Sequence, residues 1–585
     1  MMVRNCLLTA ALLSCAVAWA QVYERITDSP VVRDGGSSAN VSWIDVDGDG
    51  DLDLFITNDE TNQGNFLYLN DGAGHFTAVD DDPILETGGH NVGASWGDYD
   101  NDGDADCFVA RWSNQSNKLY VNNGDGTFSR GAVPPITNSG GYSETGSWAD
   151  FDADGWLDLL VTNSSGSNHH NWLYRSNGDG TFALHDEPPF NTDGDDSRSV
   201  NWFDFDGDGW LDLFVANENN DHDALYDNLG NGLFASVEGV PPTIDGVSNL
   251  TSSVGDFDND GDFDLFVGSY SSPSRLYRNT GGNYELISNS PACTDNQQAV
   301  GSAFADYDND GDLDLLVTNG FAANGNIYRH NYLYDNDGEG NFSRASNEPI
   351  EADSGWGFGC AFGDMDADQD LDLCIARSRN ANEDNLLYHN TQAGNRGLVL
   401  KLRGTVSNRS AIGALVVLET DTLSGDRQYR IVEAQSGYCG QSQDVHFGVG
   451  DANVVQRVTV HWPSTSIESY LNLATDEAYT IVEHGGIVSI DERGLPTPTN
   501  FLVMNAYPNP FNAGVTLAAE LPTRSATNVE VFNTLGQRVA TLFDGTAGPG
   551  ALALTWQPNA LASGIYVVNV TQNSASQTQT IHFIK

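Results

Sequence analysis

Positive charge is scarce in this chain. It has 25 Lys and Arg against 82 Asp and Glu, a formal net charge of -57. Only three lysines occur, Lys118, Lys401 and Lys585, none in the setting of a phosphate-cradling P-loop. No basic surface is available to offset phosphate charge, so nucleic acid and anionic lipid are excluded as partners and cations are expected. There is no H-E-x-x-H pair for a zinc protease. Beyond the N-terminus no apolar run reaches the ~18 residues of a transmembrane segment.

Cysteine is scarce too. Cys6 and Cys15 fall in "MMVRNCLLTAALLSCAVAWA", residues 1–20, which reads as a secretory signal: Arg4, an apolar stretch from Cys6 to Val17, and Ala18-Trp19-Ala20 as the small-x-small cleavage site. The mature protein then begins near Gln21. A lipid anchor on Cys15 is the alternative, which Leu13 fits poorly. Cys107, Cys293, Cys360, Cys374 and Cys439 remain. They are odd in number and lack zinc spacing, so they are expected to be small buried residues with at most one bridge.

What the chain does have is enough apolar residues, 39%, with 12 Trp, 21 Tyr and 26 Phe, to build real cores over two to four domains. It also has a repeat. "DVDGDGDLDL" from Asp45 recurs from Asp98, Asp150, Asp204, Asp256, Asp306 and Asp364, 50 to 58 residues apart. After each copy comes a second element, such as "NFLYLNDGAGHF" (65) or "NWLYRSNGDGTF" (171), shortened to "NLLYHN" at 385. Alternating runs broken by Asn-Gly and Asp-Gly pairs are hairpin signals. Four strands per unit of about fifty residues, seven times over, predict a seven-bladed β-propeller across residues 21–394. The seventh unit lacks a last strand, and "YERITDSPVV" from Tyr23 resembles the last strands of other units. Tyr23–Val31 is therefore expected to complete that blade beside residues 385–390 and remove two sheet edges.

The nine-residue turn has the form D-x-D-x-D-G-x-x-D. Position 1 is Asp45, Asp98, Asp150, Asp204, Asp256, Asp306 and Asp364; position 3 is Asp47, Asp100, Asp152, Asp206, Asp258, Asp308 and Asp366; position 5 is Asp49, Asp102, Asp154, Asp208, Asp260, Asp310 and Asp368. Position 7, expected to offer its main-chain carbonyl, is Asp51, Asp104, Trp156, Trp210, Asp262, Asp312 and Asp370. Position 9, expected to close the sphere, is Asp53, Asp106, Asp158, Asp212, Asp264, Asp314 and Asp372. An all-oxygen set around a glycine turn suits Ca²⁺, and its first six positions match the start of an EF-hand. Magnesium prefers fewer carboxylates and more retained water. These turns hold 33 of the 82 acidic residues, and like charges 4–5 Å apart repel by about 1 kcal/mol per pair even in water. Up to seven structural Ca²⁺ ions are expected. Gln369 replaces the glycine at position 6 of the seventh turn, which costs about 1 kcal/mol if that position needs φ > 0.

This iterated motif resembles the FG-GAP/VCBS repeat family, which implies structural calcium on one propeller face and partner binding on the other. Further on, "NRGLVLKLRGTVSNRSAIGALVVL" (395), "SGYCGQSQDVHFGVGD" (436) and "VTVHWPSTS" (458) resemble the ASPIC/UnbV domain of cartilage acidic protein-like chains, here residues 395–487, a small β domain. His446 and His461 read as strand-packing residues. After a linker, 488–500, the segments "AYPNPFN" (506), "VEVFNTLGQRVATL" (529) and "LASGIYVVNV" (561) resemble the C-terminal sorting domain of type IX secretion cargo. The expectation over 501–585 is a β-sandwich that addresses a Gram-negative bacterium's protein to the type IX machinery, for release or surface attachment.

"GASWG" at Gly93–Gly97 fits G-x-S-x-G, but an Asp turn follows it where a helix is required. The leading functional expectation is a calcium-stabilised, non-enzymatic binding or adhesion protein for an extracellular glycan or surface protein. A polysaccharide lyase built on the propeller is the rival. The expected recognition ring is Ser37, His90, Tyr142, Asp196, Ser248, Gln298 and Trp356, eight residues before each turn, joined by Trp112 and Tyr270.

Overall fold

The computed structural model describes residues 21–585 except 166–169, 191–193, 231, 245, 296, 321–328, 378–382, 422–425, 490–503, 508–510, 513, 522–524, 534–536, 548–549, 559–560 and 573–574. The signal sequence, most of the linker and part of "AYPNPFN" lie outside the described residues.

Seven four-stranded antiparallel sheets form the propeller. Their innermost strands are Ser38–Ile44, Asn91–Gly97, Ser143–Ala149, Ser197–Phe203, Asn249–Gly255, Ala299–Ala305 and Gly357–Gly363. All are rich in Ser, Gly and Ala because seven strands crowd one axis. A Cβ on Gly93, for example, would stand 2.6 Å from the Glu144 carbonyl oxygen of the next blade. The third strands carry the "LY" pairs, whose tyrosines Tyr68, Tyr120, Tyr174, Tyr277, Tyr334 and Tyr388 are buried between blades. "GASWG" lies within an innermost strand and runs into the second acidic turn.

Tyr23–Arg25 is the outer strand of the seventh sheet, with Tyr23 opposite Asn390 and Arg25 opposite Tyr388. Pairing is shorter than Tyr23–Val31. Pro30, which has no N–H to give, opens a 3-10 turn over Pro30–Val32.

Two further four-stranded sheets follow. One orders Val445–Gly448, Gly397–Arg403, Glu477–Val482 and Gly486–Ser489; the other orders Asp426–Ile431, Leu415–Asp421, Val454–His461 and Ile467–Ala474. The Gly397–Arg403 and Glu477–Val482 pair is parallel. This unit sits on the propeller face that carries the acidic turns. Its core residues Leu398, Ile412, Val416, Phe447 and Val458 form one apolar cluster with Tyr99, Phe108, Trp148 and Leu157 of blades 2 and 3. At the C-terminus a three-stranded and a four-stranded sheet close over Phe511, Val515, Val529, Val531, Trp556, Tyr566 and Phe583 as a β-sandwich.

Candidate metal centres

Each acidic turn joins an innermost strand to the second strand of its blade, and its fold follows from local hydrogen bonds. In the first turn Asp45 Oδ1 and Oδ2 accept the N–H groups of Gly48 (2.8 Å) and Gly50 (3.0 Å). Asp47 accepts from Asp49 N–H, and Asp49 from Asp51 N–H. Position 6 has φ from +88° to +110° in six turns, which is glycine territory, while Gln369 is held at +68°.

Carboxylates at positions 1, 3 and 9 converge. Asp45, Asp47 and Asp53 place one oxygen each within 4.8 Å of one another, as do Asp98, Asp100 and Asp106; Asp150, Asp152 and Asp158; and Asp204, Asp206 and Asp212. Burial is the main reason their carboxyls leave the normal range near 4, with neighbouring aspartates adding to it. Asp45 rises to about 6, Asp150, Asp256 and Asp364 to about 7, and Asp53 and Asp212 to about 8. Asp98, Asp106, Asp158, Asp264, Asp306, Asp314 and Asp372 are pushed well up for the same reason. Buried turn oxygens with no hydrogen-bond partner include Asp106 Oδ2, Asp152 Oδ1, Asp258 Oδ1, Asp306 Oδ1 and Asp366 Oδ1.

Position 9 has a second task that its sequence does not announce. Asp53 Oδ1 accepts Asn70 N–H at 2.8 Å and its Oδ2 accepts Val46 N–H at 3.0 Å, so one carboxylate ties the turn to the third strand. The same Oδ1 bond recurs at Asp106, Asp158, Asp212, Asp264, Asp314 and Asp372. At position 7 the side chains meet the glycine that follows "LYxN": Trp156 packs on Gly178 and Trp210 on Gly230. Only their main-chain carbonyls remain to serve a cation.

The second β unit brings positive charge to this face. Arg430 is buried beside Asp306 and Asp256, Lys401 Nζ donates to Gly50 O at 2.7 Å, and Gly448 N–H donates to Asp306 Oδ2 at 2.9 Å. His446 Nε2 faces the Gln369 carbonyl at 2.9 Å, and burial lowers its pKa to about 4, so it is neutral. His461 is also lowered by burial. The five cysteines among the described residues, Cys107, Cys293, Cys360, Cys374 and Cys439, are buried and unbridged.

Residues 433–443 of this unit enter the propeller axis. Gly437 N–H donates to Ser252 O, Gly440 N–H to Val41 O, and Asn40 Nδ2 to Tyr438 O at 2.6 Å. Gln441 Nε2 donates to Cys360 O and Gln443 Nε2 to Trp96 O. Tyr438 is 1% exposed and donates to Glu144 Oε2 at 2.5 Å; Arg198 bridges Glu144 and Glu218 at 2.6 and 2.7 Å. The sequence marks this plug only by uncharged residues between glycines in "SGYCGQSQ".

The expected recognition ring lies at the other end of the axis. Ser37 and Ser248 are buried, and His90, Tyr142, Asp196, Gln298 and Trp356 are half-buried. Trp112 stands edge-on to Tyr142 at 4.9 Å and to His90 at 6.5 Å. His90 Nδ1 meets Asp59 Oδ1 at 2.7 Å.

Comparison with known proteins agrees with this construction. The family profile described as ASPIC and UnbV matches residues 404–488, and that of the secretion system C-terminal sorting domain matches 505–584. The sorting domain marks a protein that the type IX system sends to the cell surface or extracellular space of Bacteroidetes. No helix among the described residues is long and apolar enough to cross a membrane. No curated protein matches the chain. Solved structures similar to it include an Agrocybe aegerita lectin that recognises non-reducing terminal N-acetylglucosamine, at 17% identity over 60% of this chain and 89% of that one, TM-score 0.37. They also include PorZ, a type IX surface component of Porphyromonas gingivalis, at 12% identity over 94% and 81%, TM-score 0.25, and the V. cholerae biofilm matrix protein Bap1, at 11% over 96% and 84%, TM-score 0.31. The FG-GAP-like repeat profile matches 45–109, 98–161, 150–215, 204–267, 256–317 and 321–375. With that profile spanning more than half its length and the acidic turn it describes recurring blade by blade, the chain belongs to the FG-GAP-like repeat family.

Proposed function

We propose that this exported protein is a non-enzymatic binding or adhesion module whose blades are held by Ca²⁺. Its recognition surface is the propeller face opposite the acidic turns, and its ligand is an extracellular glycan or surface protein. The residues of the first four turns fit calcium: the donors that converge there are all oxygens, and Asp106 and Asp306 bury carboxylate oxygens that nothing in the protein satisfies. Bound Ca²⁺ would supply the charge that lets these carboxylates stay ionised in a buried site. Asp53 and its equivalents would hold the ion while fixing the third strand.

The observation that carries the choice of face is the second β unit. It covers the acidic face and fills the axis, while half-buried aromatics, Trp112, Tyr142 and Trp356, surround the other mouth. Acids and arginine do converge at the axis, as a lyase would need. However, Glu144 and Tyr438 are each 1% exposed and Arg198 is held by two carboxylates, which favours binding over catalysis.

A glycan array and a screen of extracellular proteins, run beside an absorbance assay for lyase product, test this reading. Trp112→Ala with Trp356→Ala should lower the signal of any bound class at least tenfold while leaving the melting temperature within a few degrees. Full retention by that variant, or release of unsaturated sugar by the wild type, contradicts it.

A further inference from the structure

The seven turns differ at one neighbouring position. The residue after the tyrosine of each third strand lies in the same register, because Tyr68, Tyr120, Tyr174, Tyr226, Tyr277, Tyr334 and Tyr388 all pair with the residue after position 9. In blades 1 and 2 that neighbour is apolar, Leu69 and Val121. In blades 3 and 5 it is a cation already spent on the turn: Arg175 pairs with Asp152, and Arg278 Nε lies 2.6 Å from Asp258. Blades 4 and 6 supply another carboxylate, Asp227 and Asp335. Blade 7 supplies an imidazole, His389.

We infer that the seventh turn is a mixed nitrogen–oxygen site that takes a first-row transition ion of the zinc class in preference to Ca²⁺. The inference rests on the reading of these turns as cation sites and adds a second metal chemistry to it. His389 Nε2 stands 3.0 Å from Asp366 Oδ2, and His389, Asp366 and Asp368 each place a donor atom within 4.8 Å of the others. Asp366 Oδ1 is buried with no hydrogen-bond partner. Imidazole beside carboxylates suits zinc and its neighbours, whereas calcium takes oxygen alone. The other six turns have no histidine at the equivalent position. Access is open as well. The side chains of His389 and Asp366 are 34% and 23% exposed, and Asp366 also borders a cleft of about 380 Å³ between blades 1 and 7 and the second β unit.

The test uses the full exported chain, stripped with chelator and resaturated with Ca²⁺. Zinc is then titrated calorimetrically into wild type, His389→Leu (the residue type of blade 1) and Leu69→His. Expected are one tight zinc equivalent in wild type, at least tenfold weaker uptake in His389→Leu, and a second equivalent in Leu69→His. Cu²⁺ in the same site should show nitrogen coupling in its electron paramagnetic resonance spectrum, lost in His389→Leu. Normal calcium uptake with identical zinc uptake in wild type and His389→Leu overturns this inference alone. Failure to take up calcium at any turn overturns the reading beneath it. Should His389→Leu misfold, an absent second equivalent in folded Leu69→His, or an absent nitrogen signal in wild type, overturns it as well.

Discussion

Six of the seven blades are tied to their predecessor by the asparagine of "LYxN". Asn70 Nδ2 donates to Met365 O at 2.7 Å, Asn122 to Val46 O at 2.9 Å, Asn228 to Phe151 O at 2.8 Å, Asn279 to Phe205 O at 2.7 Å, Asn336 to Phe257 O at 2.6 Å and Asn390 to Tyr307 O at 2.7 Å. Blade 3 has Ser176 instead, 4% exposed, whose Oγ accepts only from Gly178 N–H. Ser176→Asn should add the missing bond to blade 2, worth about 1 kcal/mol net, and Asn228→Ser should lose its two amide bonds, to Phe151 O and Leu211 O, and strand a buried carbonyl, costing about 2 kcal/mol. Unfolding roughly 370 residues changes entropy by about 0.8 kcal/mol per degree near 60 °C, so calorimetry should show shifts of about +1 °C and −2 to −3 °C. Guanidinium titration should move in the same directions at unchanged slope. Both variants melting within 0.5 °C of wild type would refute the inter-blade tie. Loss of stability in Ser176→Asn alone would show instead that blade 3 has no room for the amide.

In chelator, the protein should be more stable at pH 5 than at pH 8. Carboxyls such as Asp53 and Asp212 (about 8) and Asp150, Asp308 and Asp364 (about 7) sit above their unfolded value near 3.8. Their contribution is complete below that value and is lost as pH rises through the folded ones; calcium should abolish the trend, and a chelated protein that gains stability up to pH 8 contradicts it. Gln369→Gly should raise stability by about 1 kcal/mol in denaturant titration by relieving a φ of +68°. A Cβ at Gly437 would stand 1.8 Å from Ser302 O, so Gly437→Ala should eject the plug and expose residues 433–443 to limited proteolysis. Cleavage no faster than in wild type would count against the plug.

Much of the ring was legible because it repeats. A spacing of 50 to 58 residues with the same turn and the same "LY" strand leaves few alternatives to blades, and the outer strand at Tyr23 could be found by its likeness to other last strands. The acids at positions 1 and 3 were legible as a cluster, since a glycine turn folds them together locally. The double role of Asp53 was not, because Asn70 lies seventeen residues away and is placed by sheet register. Nor was the plug. "SGYCGQSQ" reads as a turn-rich loop, and only packing of the second unit on Tyr99, Phe108 and Trp148 aims it at the axis. The role of His389 was not legible either, for a similar reason: its neighbour Asp366 is 23 residues earlier, and only the strand pairing joins them.

Calcium dependence of the melting temperature tests the central claim most directly. At ten times the dissociation constant each ion adds about 1.4 kcal/mol, so seven independent sites contribute on the order of 10 kcal/mol. Removing calcium with a chelator should therefore lower the melting temperature by about 10 °C, restored on readdition. An unchanged melting curve after complete calcium removal would contradict a propeller held together by cations in its acidic turns.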